Sequence, residues 1–474
     1  MLRLPRLAVG SIDKDVDSQP LCWALMSLLS SRGNRVQHFY SQATFPRLDG
    51  GPAATGVSSR HLDSWLMTPE VCREVFTHSA GHDRLSVVEG CFGDSLDSGG
   101  ATQNAVGASL AELCDILDLP RVVVVDVTQI DGCKLPNRPH NADALLLDNV
   151  QDARHAAGWQ TTLESLWKIP VLGALETLPR TRRALAALPR GGAPEKELCD
   201  TLAASLARYC QMNKLSALAA RRDFPVVRPY LFAPDHEQLG YGLEKRHQEG
   251  RSLEGRGPRV AVAFDEAFRC YFPDALELLE LHGATVVDFS PLRDESLPPD
   301  VDLVYLGCGH PERYAARLAA NHCMLFSMRE HLCAGRRIYA EGGGLAYLCE
   351  HLVTPEGERL PMVGAFEATA SVNPRPTPPR PMELQLARRS WLGKAGAPLR
   401  GYLNCNWQIE PHRPVDSLAA ESLGSGTQIA DARPAVTLMR RYAAIGSLLH
   451  INLVAQADLL LNFTRPVREP MCSF

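Results

Sequence analysis

At 474 residues the chain is too long for one ordinary hydrophobic core, so two domains are the starting expectation. Hydrophobic residues make up 45% and charged residues 22%, the balance of a globular protein rather than a disordered or fibrous one. A formal net charge of -5 leaves no cationic excess to neutralise a phosphate backbone, which argues against nucleic acid as a partner.

The first eleven residues, MLRLPRLAVGS, are briefly basic and apolar, and the chain then turns acidic at Asp13, Asp15 and Asp17. The long apolar core of a signal peptide is missing there. Residues 4–9 read as a strand and residues 19–31 as an amphipathic helix. Further short apolar runs follow at 36–40, 85–88, 122–127, 144–147 and 171–172, and residues 195–209 read as a helix. Continuous apolar strands alternating with helices predict a mostly parallel sheet covered on both faces. None of these runs is long enough to cross a bilayer, so a cytoplasmic protein without membrane attachment is expected.

A polar, Gly- and Arg-rich stretch at 249–258 precedes a second series of the same kind. Strands are predicted at 259–264, 285–289, 303–306 and 337–340, with a proline-started helix at 273–282. The restart places a boundary near residue 250, giving domains 1–250 and 251–474. The expected fold class is therefore α/β, two doubly wound, mostly parallel-sheet domains. Residues 373–381 (NPRPTPPRP) are too rich in proline for a helix or inner strand and read as a surface loop or lid edge. Residues 437–449 and 458–463 read as helical or part helical.

Fourteen cysteines in a chain of this length include no CxxC pair, so neither a disulfide framework nor a metal site is expected. Cys22, Cys114 and Cys349 fall in helical patterns and read as small buried hydrophobes.

Four ordered blocks give the chain a family likeness. They are Val260-Ala261-Val262-Ala263-Phe264-Asp265-Glu266-Ala267-Phe268, Phe289-Ser290-Pro291-Leu292, Gly307-Cys308-Gly309-His310-Pro311-Glu312, and Tyr339-Ala340-Glu341-Gly342-Gly343-Gly344-Leu345. Fainter echoes occur at Gly33 to Phe39, at His61-Leu62-Asp63-Ser64-Trp65-Leu66-Met67, and at Val88-Glu89-Gly90-Cys91-Phe92-Gly93. Taken together the chain resembles the cobyrinic acid a,c-diamide synthases. The resemblance implies a P-loop, dethiobiotin-synthetase-like domain that activates a tetrapyrrole carboxylate with ATP. It also implies a class I glutamine amidotransferase-like domain that supplies ammonia.

Two departures from that pattern bear on activity. A phosphate loop needs glycines, a lysine and a magnesium-binding hydroxyl. Here the stretch reads Gly10-Ser11-Ile12-Asp13-Lys14-Asp15-Val16-Asp17-Ser18. Asp17 stands where the resemblance puts the lysine, Lys14, Asp15 and Val16 replace the Gly-x-Gly portion, and Ser18 keeps the hydroxyl. Carboxylates at a helix start suit the dipole but repel a triphosphate. The expectation is a capped turn with vestigial phosphate-loop positions Gly10, Ser11, Asp17 and Ser18, and no bound cofactor. Glu89, where relatives place a magnesium-associated acid, reads as an inert, solvated strand-end carboxylate. Asp126 reads as a ligand contact or a helix cap.

The second departure is at the glutaminase turn. A cysteine nucleophile belongs between Glu341 and the following glycines, and Gly342 stands there. His450 matches a histidine of the family, but the second one is Asn452, and the stretch commonly Gly-His-Glu-Phe-His reads Gly401-Tyr402-Leu403-Asn404-Cys405. His450 is expected to be a packed residue bonded to backbone. The Cys308 sulfur, starting from a different strand, is expected to point elsewhere; Cys349 is expected to be buried, and Cys405 is too remote to place. Gly342, His450 and Glu341 are thus vestigial positions with no catalytic residue among them. The reading that follows is a catalytically inactive homologue that binds a tetrapyrrole-like molecule or a partner protein. Glu89, Asp126, Cys308 and Trp407 are its candidate cleft residues, with Trp65 as a further apolar wall. An active ligase of cobalamin- or sirohydrochlorin-type cofactor biosynthesis using free ammonia is the alternative.

Overall fold

The computed structural model describes residues 2–13, 16–93, 107–130, 138–233, 257–420 and 437–465. Lys14 and Asp15, and most of the linker expected at 249–258, lie outside the described residues. The chain divides into two compact units, Met1–Pro229 and Tyr230–Phe474.

In the first unit the strands are β1 (Arg6–Ser11), β2 (Arg35–Tyr40), β3 (Arg60–His61), β4 (Arg84–Cys91), β5 (Arg121–Asp126), β6 (Ala144–Val150) and β7 (Val171–Glu176). They form one sheet in the order β3-β2-β4-β1-β5-β6-β7, and every neighbouring pair is parallel. All six residues of β1 are buried, as are five of the six in β5, because helices cover both faces and leave no polar alternation. The Gln19–Ser31 helix follows β1, with Pro20 in its first turn and Leu21 to Leu29 buried without a break.

The strands of the second unit are numbered in chain order. They are β8 (Arg259–Ala263), β9 (Phe268–Cys270), β10 (Thr285–Phe289), β11 (Leu303–Leu306), β12 (Cys308–Gly309), β13 (Arg337–Glu341), β14 (Cys349–Val353), β15 (Arg359–Pro361) and β16 (Phe366–Val372). They continue with β17 (Arg380–Leu386), β18 (Pro398–Leu403), β19 (Trp407–Pro411), β20 (Asp416–Ser417), β21 (Ala419–Ala420), β22 (Leu438–Arg441), β23 (Ala444–Ser447) and β24 (Leu449–His450). The main sheet runs β10-β8-β11-β13-β23-β22-β20, parallel as far as β23 and antiparallel beyond it. Two four-stranded sheets, β15-β14-β16-β19 and β21-β17-β18-β24, are added to it. Both units are thus α/β, with mostly parallel sheets flanked by helices.

Residues 437–449 are a correction to the sequence reading, since they hold β22, β23 and the start of β24 rather than a helix. The run Leu438-Met439-Arg440-Arg441-Tyr442-Ala443-Ala444-Ile445 satisfies either period. Tyr442 adopts φ 53°, turning the chain back tightly, and pairing of β23 with β13 then decides the outcome. Cys349 is likewise the first residue of β14, though it is fully buried as expected. The proline-rich stretch ends in β17, where Pro381 pairs with Tyr402.

Candidate functional site

Two places carry the residues singled out by the sequence, one in each unit. In the first unit β1 lies at the middle of the sheet, between β4 and β5, so the turn after Ser11 leaves from the carboxyl end of a central strand. Open α/β sheets bind their ligands at such ends. The Ser11 hydroxyl lies 2.8 Å from the Asp13 carbonyl oxygen and 3.3 Å from that of Val16. Val16 N–H donates to the same Asp13 carbonyl at 3.3 Å. Among the described residues of this turn the contacts run to carbonyl oxygens, whereas an anion cradle needs converging N–H groups. The Asp17 carboxylate accepts from Gln19 N–H at 3.1 Å, while buried Ser18 makes no side-chain cap.

Glu89 corrects the expectation of a solvated carboxylate. It is buried, with Oε2 3.1 Å from His38 Nε2, because β4 carries it between β1 and β2 inside the sheet rather than at its rim. Asp126 caps the short 3-10 turn after β5, accepting from Thr128 N–H at 2.9 Å and from its hydroxyl at 2.7 Å. Trp65 is half-buried, and its N–H donates to Asp63.

In the second unit β13 ends at Glu341, and Gly342 turns the chain sharply into the Gly343–Leu348 helix. Gly342 has φ 49° and ψ −107°, a conformation costly for any side chain but glycine's. Its N–H donates to Ser447 O at 2.8 Å, which ties the turn to β23. A Cβ on Gly344 would lie 2.4 Å from Leu306 O, so that glycine lets the helix sit against the end of β11.

The turn is bare of a side chain, but the space beside it is not empty. A Cβ on Gly342 would lie 2.6 Å from Cys308 Sγ, 2.9 Å from Asn404 Nδ2 and 3.6 Å from His450 Nε2. Those three groups also meet one another. Cys308 Sγ is 3.3 Å from His450 Nε2, and Asn404 Nδ2 lies 2.7 Å from that nitrogen and 3.3 Å from the sulfur. Two expectations are corrected here. The Cys308 sulfur points at the turn, because β12 pairs with β9 and holds it there. His450 is engaged by side chains, because β24 pairs with β18 and sets His450 opposite Tyr402, two residues from Asn404.

On its other side His450 Nδ1 lies 3.6 Å from Glu341 Oε2, while Glu341 Oε1 accepts from the Tyr339 hydroxyl at 2.8 Å and from Ile451 N–H at 3.2 Å. Burial pushes the Glu341 carboxyl up to about 8, against the opposing pull of those two donors, and brings His450 down to about 4. Burial also raises the Cys308 thiol well above its ordinary value; Cys270 adds to the rise, and the Gly343 and Gly309 N–H groups oppose it. Both shifts favour the uncharged forms of Glu341 and His450.

Beside this cluster lies a cavity of about 760 Å³, lined by Arg375, Arg380, Asn404, Trp407, Gln408 and Glu410 among others. Trp407 presents a small part of its ring to it, and Cys405 is half-buried in its wall. Asn404 is shared between cavity and cluster. Among the described residues no group of three or more His, Cys, Asp or Glu is arranged to hold a metal ion, and no helix is long and apolar enough to cross a membrane.

Residues 259–456 match the CobB/CobQ-like glutamine amidotransferase domain family. Over 379 residues the chain is 30% identical to the cobyrinate a,c-diamide synthase of Syntrophotalea carbinolica, covering 76% of this chain and 77% of that one. This chain belongs to the cobyrinate a,c-diamide synthase family. The synthase of Methanothermobacter thermautotrophicus is 27% identical over 481 residues, covering 98% of this chain and all of its own. The hydrogenobyrinate a,c-diamide synthase of Streptomyces coelicolor is 28% identical and covers 86% of this chain and 88% of that one.

In the sequence Asn404 shows only as part of the stretch 401–405 that departs from Gly-His-Glu-Phe-His. Its place beside His450 depends on the β18–β24 pairing across 46 residues, which no local pattern signals. Tyr339 was legible in principle, since it sits two residues before Glu341 and therefore on the same face of β13.

Proposed function

We propose that this family member no longer makes amides with ATP, and that it binds a carboxylate-bearing small molecule in the cavity of its C-terminal unit. The observation that carries the binding half is the pair Arg375 and Arg380 lining a cavity of about 760 Å³, with Trp407 also in its wall. Among the described residues neither guanidinium is held in an ion pair. Arginine forks match carboxylate geometry, and Asn404 and Gln408 add further polar contacts.

The loss of synthesis is supported by the first loop. The Ser11 hydroxyl turns onto the carbonyl oxygens of Asp13 and Val16, and an aspartate, Asp17, stands where a cation would face the phosphates. Ammonia from any source would not restore a step that needs ATP.

Cobyrinate, on which the relatives act, is the natural probe. Titration of the full chain should show binding that weakens roughly tenfold or more in Arg375→Ala and in Arg380→Ala, the loss of one charge-assisted contact each. Unchanged affinity in both variants, or no binding at all, would dispose of the assignment.

A further inference from the structure

We propose that Cys308 is the nucleophile of the C-terminal unit: a thiol on the loop after β11 that has taken over the place left bare at Gly342, and that adds to the acyl carbon of a primary carboxamide entering past Asn404. The proposal goes beyond the binding assignment and shares with it only the cavity.

Position is the first ground. The Cys308 sulfur lies 2.6 Å from where a Cβ on Gly342 would be, so it occupies space that a side chain at the turn would need. The turn carries no side chain, and another strand brings a sulfur up beside it. The second ground is the proton path. Asn404 Nδ2 donates to His450 Nε2 at 2.7 Å, so that nitrogen is an acceptor and the imidazole proton resides on Nδ1, facing Glu341. The single Nε2 lone pair, 3.3 Å from the sulfur, receives the thiol proton in the proposed step as Asn404 turns from it to the entering carboxamide. The backbone N–H groups of Gly309 and Gly343 also act on the sulfur. A cysteine that merely filled a hole would need volume alone, and none of these polar partners.

In the proposed step the S–H proton passes to His450 Nε2 as sulfur bonds to the carbonyl carbon. The tetrahedral adduct collapses with cleavage of C–N, and the imidazolium returns its proton to the leaving ammonia. Water then attacks the thioester, giving a proton to Nε2; C–S breaks, and that proton restores the thiol. The sum is carboxamide plus water to carboxylate plus ammonia, with no oxidant and no ATP.

Iodoacetamide, a small carboxamide-bearing alkylator, tests this on the full chain by peptide mass spectrometry. Exposed Cys323 and Cys333 give the reference rate, and fully buried Cys349 reports whether the fold is intact. The groups facing the sulfur are His450, Asn404, Glu341 and Cys270. With His450 neutral and Glu341 still protonated, the labelling rate at Cys308 should be nearly flat between about pH 5 and 7. An isolated buried thiol gains instead roughly tenfold per pH unit. His450→Gln should slow Cys308 about tenfold or more at pH 7 and convert the flat profile to the steep one. Cys308 left unlabelled while Cys323 and Cys333 react fully overturns the proposal, as does a steep profile in the unaltered protein. If His450→Gln exposes Cys349, the profile of the unaltered protein decides alone. None of these outcomes touches cobyrinate binding, so the two assignments fail separately.

Discussion

Placing a methyl group at Gly342 tests the steric basis of the site. In Gly342→Ala the new carbon meets Cys308 Sγ at 2.6 Å and Asn404 Nδ2 at 2.9 Å, both closer than real Cβ contacts come. Overpacking of this kind costs about 1–3 kcal/mol. The φ of 49° is a second, independent strain of about 1–3 kcal/mol for a residue with a Cβ. The single variant should therefore lose roughly 2–6 kcal/mol from the C-terminal unit. Removing the sulfur as well, in Gly342→Ala/Cys308→Ala, relieves the closest contact and leaves the backbone term. The double variant should accordingly be more stable than the sum of the singles by about 1–3 kcal/mol. Urea titration followed by hydrogen exchange of peptides covering residues 337–348 reads that unit apart from the other. Additive losses would refute the claim that the sulfur occupies the space of the missing side chain.

Gly342→Cys without a change at Cys308 should meet the same obstruction, so its ammonia release from glutamine should not exceed that of the unaltered protein. Asp17→Lys should gain no measurable ATP affinity in equilibrium dialysis, because the turn keeps its carbonyl oxygens folded onto Ser11. For pH, Glu341 is raised from the ordinary carboxyl value of 4.5 to about 8, so the unfolded chain releases this proton first and stability falls as pH climbs between those values. His450, lowered from 6.5 to about 4, contributes a rise with pH between those two values. The two oppose each other below about 6.5, leaving a net fall from there to about 8. Glu341→Gln should remove that fall and gain roughly 2–4 kcal/mol relative to the unaltered protein by pH 8, read by denaturant midpoints. An undiminished slope in the variant would count against a protonated Glu341.

Most strands of the two main sheets were legible because each is a short apolar run between turn residues, but β3, only Arg60 and His61, carries no such pattern. The antiparallel additions were not. Strands β16 to β19 mix exposed and buried positions, and β22 with β23 fits a helical period as well as a strand, so only pairing with β13 fixes them. At the glutaminase turn the sequence showed which side chain was missing but not what filled its place. Cys308, Asn404, Gly342 and His450 come from four separate strands or turns, and their meeting is a product of topology. Glu89 shows the reverse error. A carboxylate near the end of a strand reads as solvated, and only the neighbouring His38 on β2 reveals why it is buried.

The most direct test of the central claim is ATP turnover by the purified full chain with magnesium, cobyrinate, and either glutamine or ammonia. The account predicts no ADP formation above the background of the Asp17→Asn variant under either nitrogen source. Formation of ADP in step with amidated cobyrinate would contradict it.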